Sequence, residues 1–154
     1  MNRGLGTQLR HIIALLDGAV ADSYDEIGLN YRPRFTPVMK ALIELETCTI
    51  NQLADYAEIT QPAATQTVKL MASADLIKIT KNKQDSRERL IELTKTGQSI
   101  IPQLENRWKI TLGAAASLDE DLGFSFSEAL SKVTEALNNK SFARRIEESA
   151  ERRI

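Results

Sequence analysis

TINQLADYAEITQPAATQTVKLMASADLIKI, residues 49–79, holds two helix starts and then a change of period. Thr49 is followed three residues on by Gln52, a spacing at which each side chain can satisfy the other's orphan backbone donor. A helix is therefore predicted from Thr49, with Leu53, Ala54 and Ala57 on its buried face. Thr60 caps a second helix whose first turn, Gln61-Pro62-Ala63, tolerates proline because those N–H groups have no intrahelical partner. Val68, Met71 and Leu76 fall on its inner side. Beyond Asp75 the apolar residues alternate in IKITK, residues 77–81, and again in RLIEL, residues 89–93. A polar NKQDSR segment separates the two runs, so a β-hairpin with a charged tip is predicted.

Upstream, Leu5, Leu9, Ile12, Ile13, Leu16 and Val20 recur at spacings of three and four, the period of an amphipathic helix. GLNYRPRFTP, residues 28–37, interrupts it. Thr36 followed by Pro37 then reads as a capped helix start, with that helix running to about Glu46. Downstream, Thr94 opens a long helix carrying Ile100, Ile101, Leu104, Trp108 and Leu112, and Pro102 should kink it by removing one backbone bond. Two more helices are expected at about 126–138 and 141–152. There is no internal repeat and no low-complexity linker.

The bulk numbers fit this mainly helical reading. With 154 residues, 42% hydrophobic and 27% charged, the chain suits a single domain with a core of its own. No apolar run approaches the roughly 18–20 residues a membrane span needs, so a soluble cytoplasmic protein is expected. One cysteine, Cys48, leaves no intrachain disulfide and no multi-cysteine zinc site, and the lone His11 adds little; neither metal nor cofactor is expected. The net charge of −1 conceals an uneven distribution. Residues 60–95 hold seven Lys or Arg against four acids, leaving +3 there and −4 elsewhere. A basic segment can bind phosphate because screening over roughly 8–10 Å makes the local patch matter more than the total, although an ordinary solvated face has the same composition.

Three helices followed by a two-stranded hairpin, with a short Ala57-Glu58-Ile59 turn before the last helix, is the order of a winged helix-turn-helix. In that arrangement the helix at 61–74 enters the major groove of DNA. Its outward residues Gln61, Ala63, Thr65, Gln66 and Lys69 would meet base edges: Gln can pair with adenine, Ala and Thr can touch a thymine methyl, and Lys can reach guanine or a phosphate. On the hairpin at about 77–93, Lys81, Lys83 and Arg87 lie where a wing reaches a phosphate backbone or minor groove. Asp85, two residues before Arg87, is read as a brace that pairs with the guanidinium.

The same residues resemble the MarR (multiple antibiotic resistance regulator) family of bacterial transcription factors over about residues 5–138. The resemblance is most specific in TINQLADYAEITQPAATQTVKLMASADLIKI and in NKQDSRERLIELTKTG, residues 82–97, above all in Asp85-Ser86-Arg87 and LTKTG at 93–97. It implies a homodimer in which two recognition helices read a palindromic site, with residues 33–94 as the DNA-binding part and 1–30 and 95–154 as helical dimerisation parts. Three positions depart from the family pattern: Asp75 replaces a usual glycine, Ser86 a common second arginine, and Leu70 a frequent polar residue.

Amphipathic helices at both ends point to the same dimer, since Leu5, Leu9, Ile12 and Leu16, with Phe142 and Ile146 in the tail, have no evident partner within one small domain. Many members of the family are released from DNA by small aromatic or phenolic anions. By that resemblance His11, Tyr31, Arg32, Phe35, Met39 and Trp108 are candidates for a ligand pocket, although aromatics at such places are also ordinary core. Cys48 has no basic neighbour in Glu46-Thr47-Cys48-Thr49, and a buried, idle thiol is the simpler reading than an oxidant sensor. With one histidine, one cysteine and no paired motif there is no recognisable nucleophile and base, so a small enzyme would need a carboxylate site that the sequence does not advertise. A winged helix that binds protein instead of DNA is the other alternative, and the polar face of residues 61–69 counts against it.

Overall fold

The computed structural model describes residues 4–152; the ends of the expected dimerisation parts, 1–3 and 153–154, lie outside it. The chain groups into two compact units, one up to Trp108 and one from Lys109 onward.

In the first unit, α1 spans Leu5–Asp25, a 3₁₀ turn spans Pro33–Phe35, and α2 spans Thr36–Leu45. Thr36 is not a cap: helical backbone already begins at Phe35, and the Thr36 hydroxyl instead accepts a hydrogen bond from Tyr31 (3.3 Å). The short strand β1, Thr47–Cys48, follows, then α3 at Ile50–Tyr56 and α4 at Gln61–Ser73. Thr49 and Gln52 form the expected reciprocal box: Thr49 N–H donates to Gln52 Oε1 (2.9 Å), and Gln52 N–H to Thr49 Oγ1 (3.3 Å). Thr60 accepts from the Ala63 N–H (3.3 Å), so α4 also starts where predicted.

Both helices end the same way. At the end of α3, Glu58 N–H donates to the Asp55 carbonyl and Ile59 N–H to that of Ala54; at the end of α4, Asp75 and Leu76 donate to Ala72 and Met71. These paired bonds close the last carbonyls and require a left-handed residue, here Glu58 (φ 53°) and Asp75 (φ 57°) rather than glycine.

The hairpin is β2, Ile77–Lys81, paired antiparallel with β3, Arg89–Leu93, and β1 lies on the other side of β3. Lys78 sits opposite Glu92 and forms an ion pair at 2.9 Å. Ile77, Ile91 and Leu93 face the core. It is built on Met39, Leu42, Leu53, Met71 and Leu104, none more than 1% exposed, each contributing about 1.5–3 kcal/mol by burial. Leu70 packs against this core as well.

The helix predicted from Thr94 breaks into α5, Lys95–Ser99, and α6, Ile101–Leu122. Pro102 therefore lies in the first turn of a new helix, where its missing N–H costs nothing, and does not kink a continuous one. Gly97 explains the glycine of LTKTG: a Cβ there would stand 2.1 Å from the Leu76 carbonyl oxygen. Thr94 and Thr96 donate to the backbone carbonyl and carboxylate of Asp75, locking the helix start onto the end of α4.

The second unit continues α6 and adds α7, Phe126–Asn139, and α8, Phe142–Glu151. Ser125 and Ser141 cap the two helices, and the Arg145 guanidinium donates to the Ala136 and Lys140 carbonyls, closing the end of α7. Among the described residues no helix is long and apolar enough to cross a membrane.

Candidate nucleic-acid interface

The inner side of α4 is fixed by Ala64, Thr67, Val68 and Met71, all buried. That anchoring leaves Gln61, Thr65, Gln66 and Lys69 exposed at helical spacing, together with Pro62 along one shallow depression; Ala63 is half-buried beside them. The polar groups are partly committed. Thr65 Oγ1 donates back to the Gln61 carbonyl (2.9 Å), turning its methyl and lone pairs outward. Gln61 Nε2 pairs with Asn51 Oδ1 of α3 at 2.8 Å.

The loop at 82–88 is tied from within. Asn82 donates twice to Glu88, from its backbone N–H to the carbonyl (3.1 Å) and from its side-chain amide to the carboxylate (2.9 Å), and its Oδ1 accepts from the Gln84 N–H (3.0 Å). Asp85 differs from its expected geometry: its carboxylate accepts the backbone N–H of Arg87 (2.9 Å), and its carbonyl accepts that of Glu88 (3.0 Å). Asp85 is therefore a turn-former, not a guanidinium partner, because a short side chain two residues back meets the backbone first. Among the described residues, Lys81, Lys83 and Arg87 are exposed and no acid pairs with them, and the same holds for Arg89 at the start of β3, so four cations stand clear on the wing.

Two residues of this surface escaped sequence reasoning. Asn51 joins it from α3, and Arg34, from the 3₁₀ turn, donates from Nη2 to Gln66 Oε1 at 3.2 Å. The basic run Arg32-Pro33-Arg34 was the available signal, but the contact spans 32 positions.

The six ligand-pocket candidates are dispersed. Tyr31 and Arg32 line an open groove of about 520 Å³ whose other walls include Asp17, Asp25 and Arg34. Phe35 and Met39 are packed into the core, with Phe35 edge-on to Tyr31 at 5.6 Å and Tyr31 edge-on to Tyr24 at 4.8 Å. Burial holds the Tyr31 phenol well above its ordinary range. His11 is exposed on α1, and Trp108 lies under the Lys40 ammonium at 5.1 Å. Cys48 is 1% exposed and its thiol pKa is raised by desolvation, the opposite of a thiolate poised to react.

Residues 37–88 match the sequence model of the MarR family, and that span covers the helix-turn-helix and most of the wing. No curated protein matches the sequence. Among solved structures the chain is similar to the transcriptional regulator SlyA, at 13% identity and a TM-score of 0.66 over 94% of this chain and 99% of that one. It is also similar to a probable transcriptional regulator from Pseudomonas aeruginosa, with 21% identity, a TM-score of 0.59 and coverage of 87% and 99%. A third is BpsR of Bordetella bronchiseptica, whose DNA binding is regulated by 6-hydroxynicotinic acid, with 17% identity, a TM-score of 0.57 and coverage of 90% and 94%. At these identities the likeness is one of fold. The family match thus falls on the helix-turn-helix and wing, while the likeness in fold to these regulators runs along nearly all of the chain.

Proposed function

We propose that this protein is a homodimeric, sequence-specific repressor of transcription in the cytoplasm that reads a palindromic duplex with α4 and grips the flanking backbone with the wing. The observation that carries the reading is the pairing of an anchored helix with an outward polar face, Gln61, Thr65, Gln66 and Lys69, and a wing whose cations, Lys81, Lys83 and Arg87 among them, pair with no acid. Base edges are read by the first set and phosphates by the second. A second copy supplies the matching half-site, and the apolar side chains that stay exposed on α1 and α8, such as Leu5 (62%) and Phe142 (58%), support that assembly. Release by a small aromatic anion is favoured by one feature of the chain, the groove holding Tyr31 and Arg32, and by the behaviour of BpsR.

Selection from a random duplex pool with the purified full chain tests the reading. A palindrome should be enriched at moderate salt. Arg87→Ala should weaken binding to all duplexes alike and reduce the salt slope by about two, one for each wing of the dimer, whereas Gln66→Ala should relax the preference at one position per half-site. Failure to enrich any sequence would end the proposal of a specific regulator.

A further inference from the structure

We propose that the 3₁₀ turn Pro33–Phe35 is a third DNA-contacting element, through which Arg34 grips a backbone phosphate beside the recognition helix. The inference rests on the DNA-reading proposal above. Its basis is the contact of Arg34 Nη2 with Gln66 Oε1 at 3.2 Å, which brings a cation from outside α3 and α4 onto the exposed face of α4.

The side chain is available there. Arg34 is exposed, and among the described residues no acid forms an ion pair with it, although Asp17 and Asp25 line the same groove. A guanidinium carries five N–H donors in a fixed fork, so one bond to Gln66 steers the group without exhausting it. The backbone beneath it is held by its neighbours: Phe35 is buried, edge-on to Tyr31 at 5.6 Å, and its N–H donates to the Arg32 carbonyl at 2.9 Å. Little backbone freedom is therefore lost when the arginine meets DNA.

What it meets follows from dimensions. An α-helix with its side chains is about 10–12 Å across, and the major groove of B-DNA is about 12 Å wide. With α4 in the groove there is no room beside it at the level of the base edges. A side chain that reaches α4 from a neighbouring element therefore stands at the wall of the groove, which is sugar and phosphate. An arginine there forms charge-assisted bonds to phosphate oxygens and carries no sequence information. The contact with Gln66 sets the phosphate level with the middle of α4, whereas the wing cations act from the hairpin.

Binding of the full chain to its enriched duplex, followed across salt concentrations, tests the contact. Arg34→Gln keeps a donor for Gln66 but removes the charge. It should weaken binding by about tenfold per protomer, about 10²-fold for the dimer, and lower the slope of log affinity against log salt by about two. Arg34→Lys should restore most of that slope. In the Gln66→Ala background Arg34→Gln should lower the slope equally, since the phosphate contact is Arg34's own. Replacing single phosphates of the duplex with uncharged methylphosphonates should reveal one position per half-site that weakens the wild type but not Arg34→Gln. A salt slope unchanged by Arg34→Gln, or a shift in base preference in place of a uniform loss, overturns the inference and leaves the regulator reading intact. A wild-type chain that enriches no sequence removes the regulator reading itself, and this inference with it.

Discussion

The two units are held together by different forces. Up to Trp108 the chain is built around side chains removed from water, and every buried hydrophobic residue among those described lies at or before Leu104. From Lys109 onward no described residue is buried, and α7 and α8 carry surface ion pairs instead: Glu128 with Lys132, Arg144 with Glu147 and Glu148, and Lys140 with Glu148. Exposed pairs of that kind contribute about 0–1 kcal/mol each, far less than a buried leucine. Meanwhile Leu130, Val133, Phe142 and Ile146 stand 42–58% exposed in the single chain. The first unit thus has a core of its own and leaves apolar side chains exposed chiefly on α1, whereas the second has no buried residue and an apolar surface whose burial, in the proposed assembly, is supplied by a second copy.

The largest expected effect attacks that difference directly. Phe142→Glu with Ile146→Glu, both on exposed positions of α8, should turn a dimer into a monomer in sedimentation while far-UV circular dichroism stays nearly unchanged. Both protomers carry the changes, so a dimer loses four burials of about 1.5–3 kcal/mol each, which weakens association by at least roughly 10⁴-fold. Melting, concentration-dependent in the wild type, should become independent of concentration in the variant. A variant that remains dimeric would show that α8 does not carry the interface.

The converse change belongs in the first unit. Gly97→Ala drives a methyl to 2.1 Å from the Leu76 carbonyl, where the neighbour is backbone and cannot swing aside. Overpacking of this kind costs about 1–3 kcal/mol, visible as a lower urea midpoint. Sedimentation at low temperature should still report the wild-type mass. Unchanged stability would mean that α5 can move away from the hairpin, and that the core of the first unit is looser than its burial indicates.

What could be read in the sequence follows from how local each cause is. The capping box at Thr49 and Gln52, the cap at Thr60 and the period-two runs of β2 and β3 are decided within a few residues, and all formed as predicted. Strand β1 has only two residues, too few to show a period, and exists because Thr47 and Cys48 meet Glu92 and Ile91 more than forty positions away. The break at Ile100 is hidden for a related reason, since a proline predicts a disturbed helix but not whether a kink or a new start results. On the candidate surface, the outward residues of α4 follow from its buried ones. Arg34 and Asn51 do not, because only the fold brings them to Gln66 and Gln61.

The smallest effect separates the left-handed turns that end α3 and α4. Glu58 and Asp75 hold nearly the same φ, 53° and 57°, and a side chain in that region costs about 1–2 kcal/mol relative to glycine. Asp75 recovers part of the cost, because its carboxylate accepts from Thr96 Oγ1 at 2.8 Å and joins α4 to α5. Glu58 is exposed at the turn between α3 and α4, and its side chain makes no such bond. Glu58→Gly should therefore raise stability by about 1 kcal/mol, whereas Asp75→Gly should be close to neutral, the relief of strain being offset by a lost hydrogen bond worth about 0.5–1.5 kcal/mol. Chemical denaturation of both variants at one protein concentration reads the difference. Equal stabilisation by the two would show that the Asp75–Thr96 bond contributes nothing net, and that the joint beneath the wing is held by the bond from Thr94 to the Asp75 carbonyl and the close packing at Gly97.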